Sequence, residues 1–169
     1  QKDELAAVVH RIDLGLVEGI IRLPNLKYAT FQKDELAAVV HTRSKLAKLD
    51  EISVYDLYNI PLVLRERGSG TLDVLETALL AHNIRLSDLN VRMYLGSTES
   101  IKLFLENSEC MGIVSVRSIA RELAAGLFKV IDIRYLEMQR EFSFARLQGE
   151  ESGLSQVFMQ FAAHYNKKL

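Results

Sequence analysis

The sequence predicts an α/β fold with a mainly parallel sheet, and three observations predict it. Short, near-continuous apolar runs recur along the 169 residues, as they do in strands covered on both faces. Amphipathic helical patterns fall between them, the alternation typical of βαβ units. Two of the joins, Gly68-Ser69-Gly70-Thr71 and Gly96-Ser97-Thr98-Glu99, are glycine turns carrying hydroxyls, of the kind that close a strand and open a helix.

Taken in order, the chain opens on QKDELAAVVH at Gln1–His10, and Gln32–His41 repeats it letter for letter. The residues that follow diverge at once, Arg11-Ile12-Asp13 against Thr42-Arg43-Ser44. This is a local duplication and not a repeat architecture of fixed period. The first copy suits a helix, with Asp3 and Glu4 in a first turn where the dipole favours acids. The second continues the alternation of Lys27 to Phe31 and suits a strand.

Strands are expected at Ile12–Val17, Leu26–Phe31, Leu36–Val40, Pro61–Arg65, Val91–Leu95, Gly112–Val116 and Leu127–Ile131. Helices are expected at Ser53–Tyr58, Thr71–His82, Thr98–Asn107, Arg117–Ala125 and Gly153–Asn166. Alternation of Met138, Arg140, Phe142, Phe144 and Arg146 predicts a further strand within Glu137–Leu147, with one exposed face. Leu154, Val157, Phe158, Phe161, Ala162 and Tyr165 form an i, i+3, i+4 stripe on the last helix, which has to pack on something.

Composition narrows the function. Hydrophobic residues make up 49%, charged residues 25%, and the net charge is −1, an ordinary globular balance. Without a basic excess the chain by itself is not expected to grip DNA. Cys110 is the sole cysteine, so no intrachain disulfide is possible and a reducing compartment is expected. No apolar run approaches the roughly 18 residues that span a bilayer, and the N-terminus lacks the layout of a secretory signal. The expectation is a cytoplasmic protein with no membrane partner.

Catalytic chemistry finds little purchase. Gly68-Ser69-Gly70 superficially offers a serine on a strand-to-helix turn but lacks G-x-S-x-G spacing; a hydrolase using Ser69 is the enzymatic alternative. His10, His41, His82 and His164 have no acidic partner at an interpretable spacing. No His/Cys pair has metal-ligand spacing, and neither phosphate-loop nor dinucleotide fingerprints occur. The expectation is no catalytic residue, no metal and no cofactor.

The two hydroxyl-bearing turns remain. A strand, a glycine turn and a helix start gather free backbone N–H groups at the positive end of a helix dipole. Two such spots on neighbouring strands can face one crevice and hold a small polar or anionic molecule. The same Ser69, Thr71, Ser97 and Thr98 are ordinary N-cap types, so capping without a ligand accounts for them as well. Glu18 reads equally as a solvated loop charge, and Ser115 as a satisfied strand-end hydroxyl.

The ordered set of pieces resembles one family. Ile12-Asp13-Leu14-Gly15-Leu16-Val17-Glu18-Gly19 is similar to the IDLGLVEG strand and loop of LysR-type transcriptional regulators. Phe31 to His41 is similar to the family's crossover strand, and Leu64 to Thr71 to its REXGSGT turn. Leu95 to Lys102 matches GSTEXIK, and Met111 to Ser115 with Ala120 to Leu123 matches the unit after it. The spacing agrees from Arg11 to Leu169.

The resemblance implies an effector-sensing regulatory domain with the two-lobed fold of type II periplasmic binding proteins, its first lobe incomplete. Residues 1–35 and 139–169 would be what is present of regulatory lobe I, and residues 36–138 lobe II. It implies a small-molecule effector, anionic in some relatives, lying between lobes and shifting the oligomer's conformation. Ser69, Gly70, Thr71, Ser97, Thr98 and Ser115 would face it from one lobe, and Glu18 and Gly19 from the other. DNA would be met only through an N-terminal helix-turn-helix that this sequence lacks, in a full-length homodimer or tetramer. A periplasmic-type solute-binding protein is the alternative on the same fold.

Overall fold

The computed structural model describes residues 12–18, 23–149 and 153–166. The helix expected over Gln1–His10 and the position of Gly19 lie outside them. In chain order the elements begin with β1 (Gly15–Glu18), β2 (Leu26–His41), β3 (Glu51–Ser53), β4 (Leu62–Arg65), α1 (Gly70–Leu80) and β5 (Val91–Leu95). They continue with α2 (Thr98–Leu105), β6 (Met111–Ser115), α3 (Ala120–Ala124), β7 (Phe128–Arg134), β8 (Gln139–Leu147) and α4 (Gly153–Asn166). The chain separates into two compact units, Gln1–Lys33 with Glu141–Leu169, and Asp34–Arg140.

The Asp34–Arg140 unit carries a six-stranded arrangement. β4 pairs in parallel with β5 and β6, and β3 in parallel with β7. β2 runs antiparallel to both β6 and β7. The strand order is therefore β5-β4-β6-β2-β7-β3. The sheet is mixed: parallel pairing holds where helices connect the strands, and the crossover strand β2 enters against them. The separate strands expected at Leu26–Phe31 and Leu36–Val40 are one continuous strand, because Gln32 to Glu35 stay extended between them.

Period-two side-chain direction splits this unit's interior into two cores. Leu62 and Leu64 join Val40, Met111 and Ile113 beneath Leu72, Leu75 and Leu79 of α1. Val63 points the other way, with Val39 and Val114, against Ile101 and Leu105 of α2. Gly112 makes that second contact close. A Cβ there would stand 3.0 Å from both Ile101 Cγ2 and Leu105 Cδ1, so a side chain at that point would have to push these two aside by a few tenths of an ångström.

Two expected helices are shorter than their sequence patterns. Ser53–Tyr58 is a single 3-10 turn over Val54–Tyr58, started by a capping box in which Ser53 and Asp56 serve one another's backbone N–H groups. Arg117–Ala125 becomes a 3-10 turn over Val116–Ile119 followed by the five-residue α3. Further 3-10 turns at Lys45–Lys48 and Leu86–Asp88 follow no apolar period, which is why periodicity does not find them.

In the other unit, β1 pairs antiparallel with β8, from Gly15 opposite Ala145 to Glu18 opposite Phe142. β8 also neighbours β2. Leu26 and Ala145 are buried there with Val17, Leu23, Tyr28 and Leu147 packed on them. β8 thus lacks the exposed face its alternation predicts: the consecutive Ser143, Phe144 and Ala145, which alternate between its two faces, are all buried. The stripe on α4 is also not packed as expected. Leu154 is 83% exposed and Phe161 64%, while Ser155 is buried. Ser155, Met159 and Ala162 are its less exposed positions, and Phe158 reaches Phe144 only edge-on, with ring centroids 6.3 Å apart.

Candidate functional site

Parallel β5, β4 and β6 place their C-terminal ends along one edge of the Asp34–Arg140 unit, where α/β sheets bind ligands. Leu95, Arg65 and Ser115 end those strands. The two glycine turns leave from the first two. Gly68 adopts φ +88, a left-handed conformation that lets the chain reverse sharply before α1. Ser69 then caps that helix, its Oγ accepting the Leu72 N–H at 3.2 Å. Ser97 does the same for α2, accepting the Ser100 N–H at 3.1 Å and sharing a 2.8 Å hydrogen bond with Ser100 Oγ.

β2 lies beside β6, with Leu36 opposite Ser115. Two residues earlier on the same face, Asp34 therefore arrives beside the Ser115 hydroxyl, which donates to Asp34 Oδ1 at 2.8 Å. Arg140 of β8 donates from Nε to Asp34 Oδ2 at 2.7 Å. Its Nη1 donates to Thr71 Oγ1 at 3.2 Å. The ion pair is almost dry, with side chains 9% and 1% exposed. A single polar chain thus runs Thr71–Arg140–Asp34–Ser115 and joins the start of α1 to the end of β6.

Neighbouring charges hold the turns and helices around it. Arg65 grips Glu66 with two hydrogen bonds of 2.8 and 2.9 Å and reaches the Gly96 carbonyl at 3.5 Å. The Arg65 hydrogen bonds hold the Glu66 carboxyl below its ordinary range. Lys102 of α2 donates to Glu99 at 2.9 Å, to the Ser118 carbonyl at 3.2 Å and to Glu122 at 2.6 Å. Burial pushes the Lys102 amine down, but the two carboxylates outweigh it and hold it above its usual value. Lys102 likewise holds Glu122 below its usual value.

Of the residues singled out from sequence, Thr71 and Ser115 belong to one hydrogen-bonded network, and Ser69 and Gly70 sit beside Thr71 on the same turn. Ser97 and Thr98 open α2 on the adjacent strand, with no hydrogen bond to the Arg140 network among the described residues. Glu18 ends β1 in the other unit. Asp34 and Arg140 are the residues that sequence reading misses. A signal exists for Arg140: it interrupts an otherwise apolar stripe of Met138, Phe142 and Phe144. Asp34 stands two residues before a wholly buried run from Leu36, with exposed Glu35 between.

Other chemistry is sparse among the described residues. No three His, Cys, Asp or Glu side chains converge as a metal site there. No histidine among them hydrogen-bonds Ser69: His82 Nε2 meets the Tyr135 carbonyl and His41 Nδ1 accepts from the Arg43 N–H. No helix among them is long and apolar enough to cross a membrane.

Comparison with known proteins gives a consistent result. A family model described as the LysR substrate binding domain matches residues 3–167. A curated relative, the uncharacterised HTH-type transcriptional regulator YeiE of Escherichia coli strain K12, is 28% identical over 161 residues, covering 95% of this chain and 53% of its own length. HTH-type transcriptional regulator CysL of Bacillus subtilis is 26% identical over 132 residues, covering 78% of this chain and 43% of its own. The chain therefore spans about half the length of the curated relatives it matches. The regulatory domain of CcmR from Synechocystis PCC6803, solved with 2-PG, superposes with a TM-score of 0.82 at 23% identity, over 98% of this chain and 80% of that one. The effector-binding domain of QuiR, solved with shikimate, gives 0.79 at 22% identity, over 98% and 78%. At these identities the superpositions establish the fold, the periplasmic-binding-protein-like α/β architecture.

Proposed function

The chain belongs to the LysR substrate-binding domain family, and from that premise we propose that it is the small-molecule sensor of a DNA-binding transcriptional regulator. The observation that carries this reading is the Ser69-Gly70-Thr71 turn at the start of α1, bound through Arg140 and Asp34 to Ser115. Ser69, Gly70 and Thr71 make the main contacts to the effector, with Ser97, Thr98 and Ser115 at neighbouring strand ends. Residues 36–138 form regulatory lobe II, and residues 1–35 with 139–169 belong to regulatory lobe I. Two structural relatives were solved with small ligands, 2-PG and shikimate, which supports a ligand of that size.

The role is recognition without catalysis, in the cytoplasm, with no metal or cofactor. An effector shifts the population of regulator conformations only through differential affinity for them. The regulator acts as a homodimer or tetramer and meets DNA through its helix-turn-helix.

Calorimetric titration of the chain with 2-PG and with shikimate tests the site. The expected result is saturable binding of at least one, weakened by about 1 kcal/mol when Thr71→Ala removes one hydrogen bond. Unchanged titrations in both Thr71→Ala and Ser69→Ala would take this turn out of the site.

A further inference from the structure

We infer that the Asp34–Arg140 unit carries a second small-molecule site, between the loop after β2 and the loop before β6, for a zwitterion of the α-amino acid class. The site is separate from the hydroxyl-bearing turns. β6 leaves the second loop at Met111 and reaches the Thr71–Arg140 network at Ser115, so the two places lie at opposite ends of one strand.

β2 ends at His41 and α2 at Leu105, and the residues after each close on one another. Arg43 Nη2 donates to the Glu106 carbonyl at 3.2 Å. Glu109 Oε2 accepts the Ser44 hydroxyl at 3.0 Å and the Lys45 N–H at 2.8 Å. These bonds tie the loops around a cavity of about 360 Å³, bordered by His41, Arg43, Ser44, Glu106 and Glu109 among others. Small-ligand pockets start at roughly 300 Å³.

Three groups on that wall have binding capacity left unused. His41 is 5% exposed, and its Nδ1 accepts the Arg43 N–H at 3.0 Å. The ring is therefore neutral, with its hydrogen on Nε2. That N–H has no partner among the described residues. The one side-chain polar atom there that is sealed from solvent without a partner is Glu122 Oε2. The His41 N–H thus reaches open space, and the space His41 borders is this cavity. A nearly buried donor left unmatched is uncommon, and a ligand acceptor would satisfy it.

The other two groups are charges of opposite sign. Arg43 touches only a neutral carbonyl, and the Glu106 carboxylate has no hydrogen bond or ion pair among the described residues. They border one cavity without pairing with each other. Glu109 differs, because the Lys45 N–H and the Ser44 hydroxyl already hold its carboxyl below the ordinary range. A carboxylate complements Arg43 and the His41 N–H, which can only donate; an ammonium complements Glu106, which can only accept. An anion alone would face Glu106 unpaired, and a cation alone would face Arg43. An α-amino acid carries both charges on one carbon.

The test is an NMR titration of the whole chain at about pH 7, following the Ser44 and Asn107 amides and His41 Nε2. The probes are L-alanine, propionate and ethylamine. Propionate is alanine without its ammonium, and ethylamine is alanine without its carboxylate. The expected result is saturable alanine binding about tenfold tighter than either half, the weight of one charge-assisted hydrogen bond. Glu106→Gln lowers alanine affinity by about tenfold and leaves propionate unchanged. Arg43→Gln lowers it as much and leaves ethylamine unchanged. Neither side chain is in the core, so both variants keep the fold. Alanine no tighter than propionate or ethylamine overturns the zwitterion. Alanine binding that neither variant weakens overturns Arg43 and Glu106 as its partners. Shifts confined to Gly70 and Thr71 place the amino acid at the other site and overturn this one. No shift with any probe shows that the cavity holds only solvated charges, and it overturns the inference outright.

Discussion

Arg140 donates to Asp34 across 2.7 Å, although 106 positions separate them in sequence. The pair closes the Asp34–Arg140 unit at its own first and last residues. It also carries the connection from Thr71 to Ser115. One ion pair therefore serves both the unit's integrity and the arrangement of the candidate site.

Removing one partner of a nearly dry ion pair strands the other's charge. Arg140→Gln is expected to lower stability by about 3–5 kcal/mol, while Asp34→Asn with Arg140→Gln costs clearly less than the sum of its single changes. Urea denaturation of the four proteins in the cycle measures this. Strict additivity would show that the pair is not energetically coupled.

Gly112 faces Ile101 and Leu105, both fully buried, so closely that a methyl group would have to displace their side chains by a few tenths of an ångström. Gly112→Ala should destabilise the protein by about 1–3 kcal/mol, the usual cost of overpacking a filled core. Thermal unfolding followed by circular dichroism reads the change. A neutral substitution would mean that α2 shifts outward freely.

Glu122 is held below its ordinary value chiefly by the hydrogen bond from Lys102. Its contribution to stability is complete above the unfolded carboxylate value of about 4.3 and is lost as pH falls through the lower folded value. Unfolding midpoints measured from about pH 6 down to pH 3 should therefore drop more steeply in the native protein than in Glu122→Gln. Parallel curves would assign the acid sensitivity elsewhere.

Leu154 and Phe161 on α4 lie mostly in solvent. Replacing both with Lys should leave the unfolding free energy within about 0.5 kcal/mol, as surface changes do. Binding of a hydrophobic dye should fall, because the exposed apolar patch shrinks. A large loss of stability would show that the face is covered after all.

Sequence reading reached the strands, the helices after the two glycine turns and the family, because each rests on local signals: apolar period, cap residues, and motif order with agreeing spacing. Ser69 and Ser97 are legible as the caps they prove to be, since a cap is made with a backbone N–H three residues away. The pairing of Asp34 with Arg140 is not legible in this way. Its two halves are distant in the chain, and nothing near either residue specifies the other.

The direction of the α4 stripe escapes sequence for a related reason. Periodicity identifies which residues share a face, but which face turns inward depends on what the sheet offers beneath it. The sequence by itself determined an α/β chain with two hydroxyl-bearing helix starts. Only the tertiary structure decided which hydroxyl donates and which accepts, because a hydroxyl's role is set by the partner that folding brings against it. For Thr71 that partner is a guanidinium, which leaves the oxygen no part but acceptor.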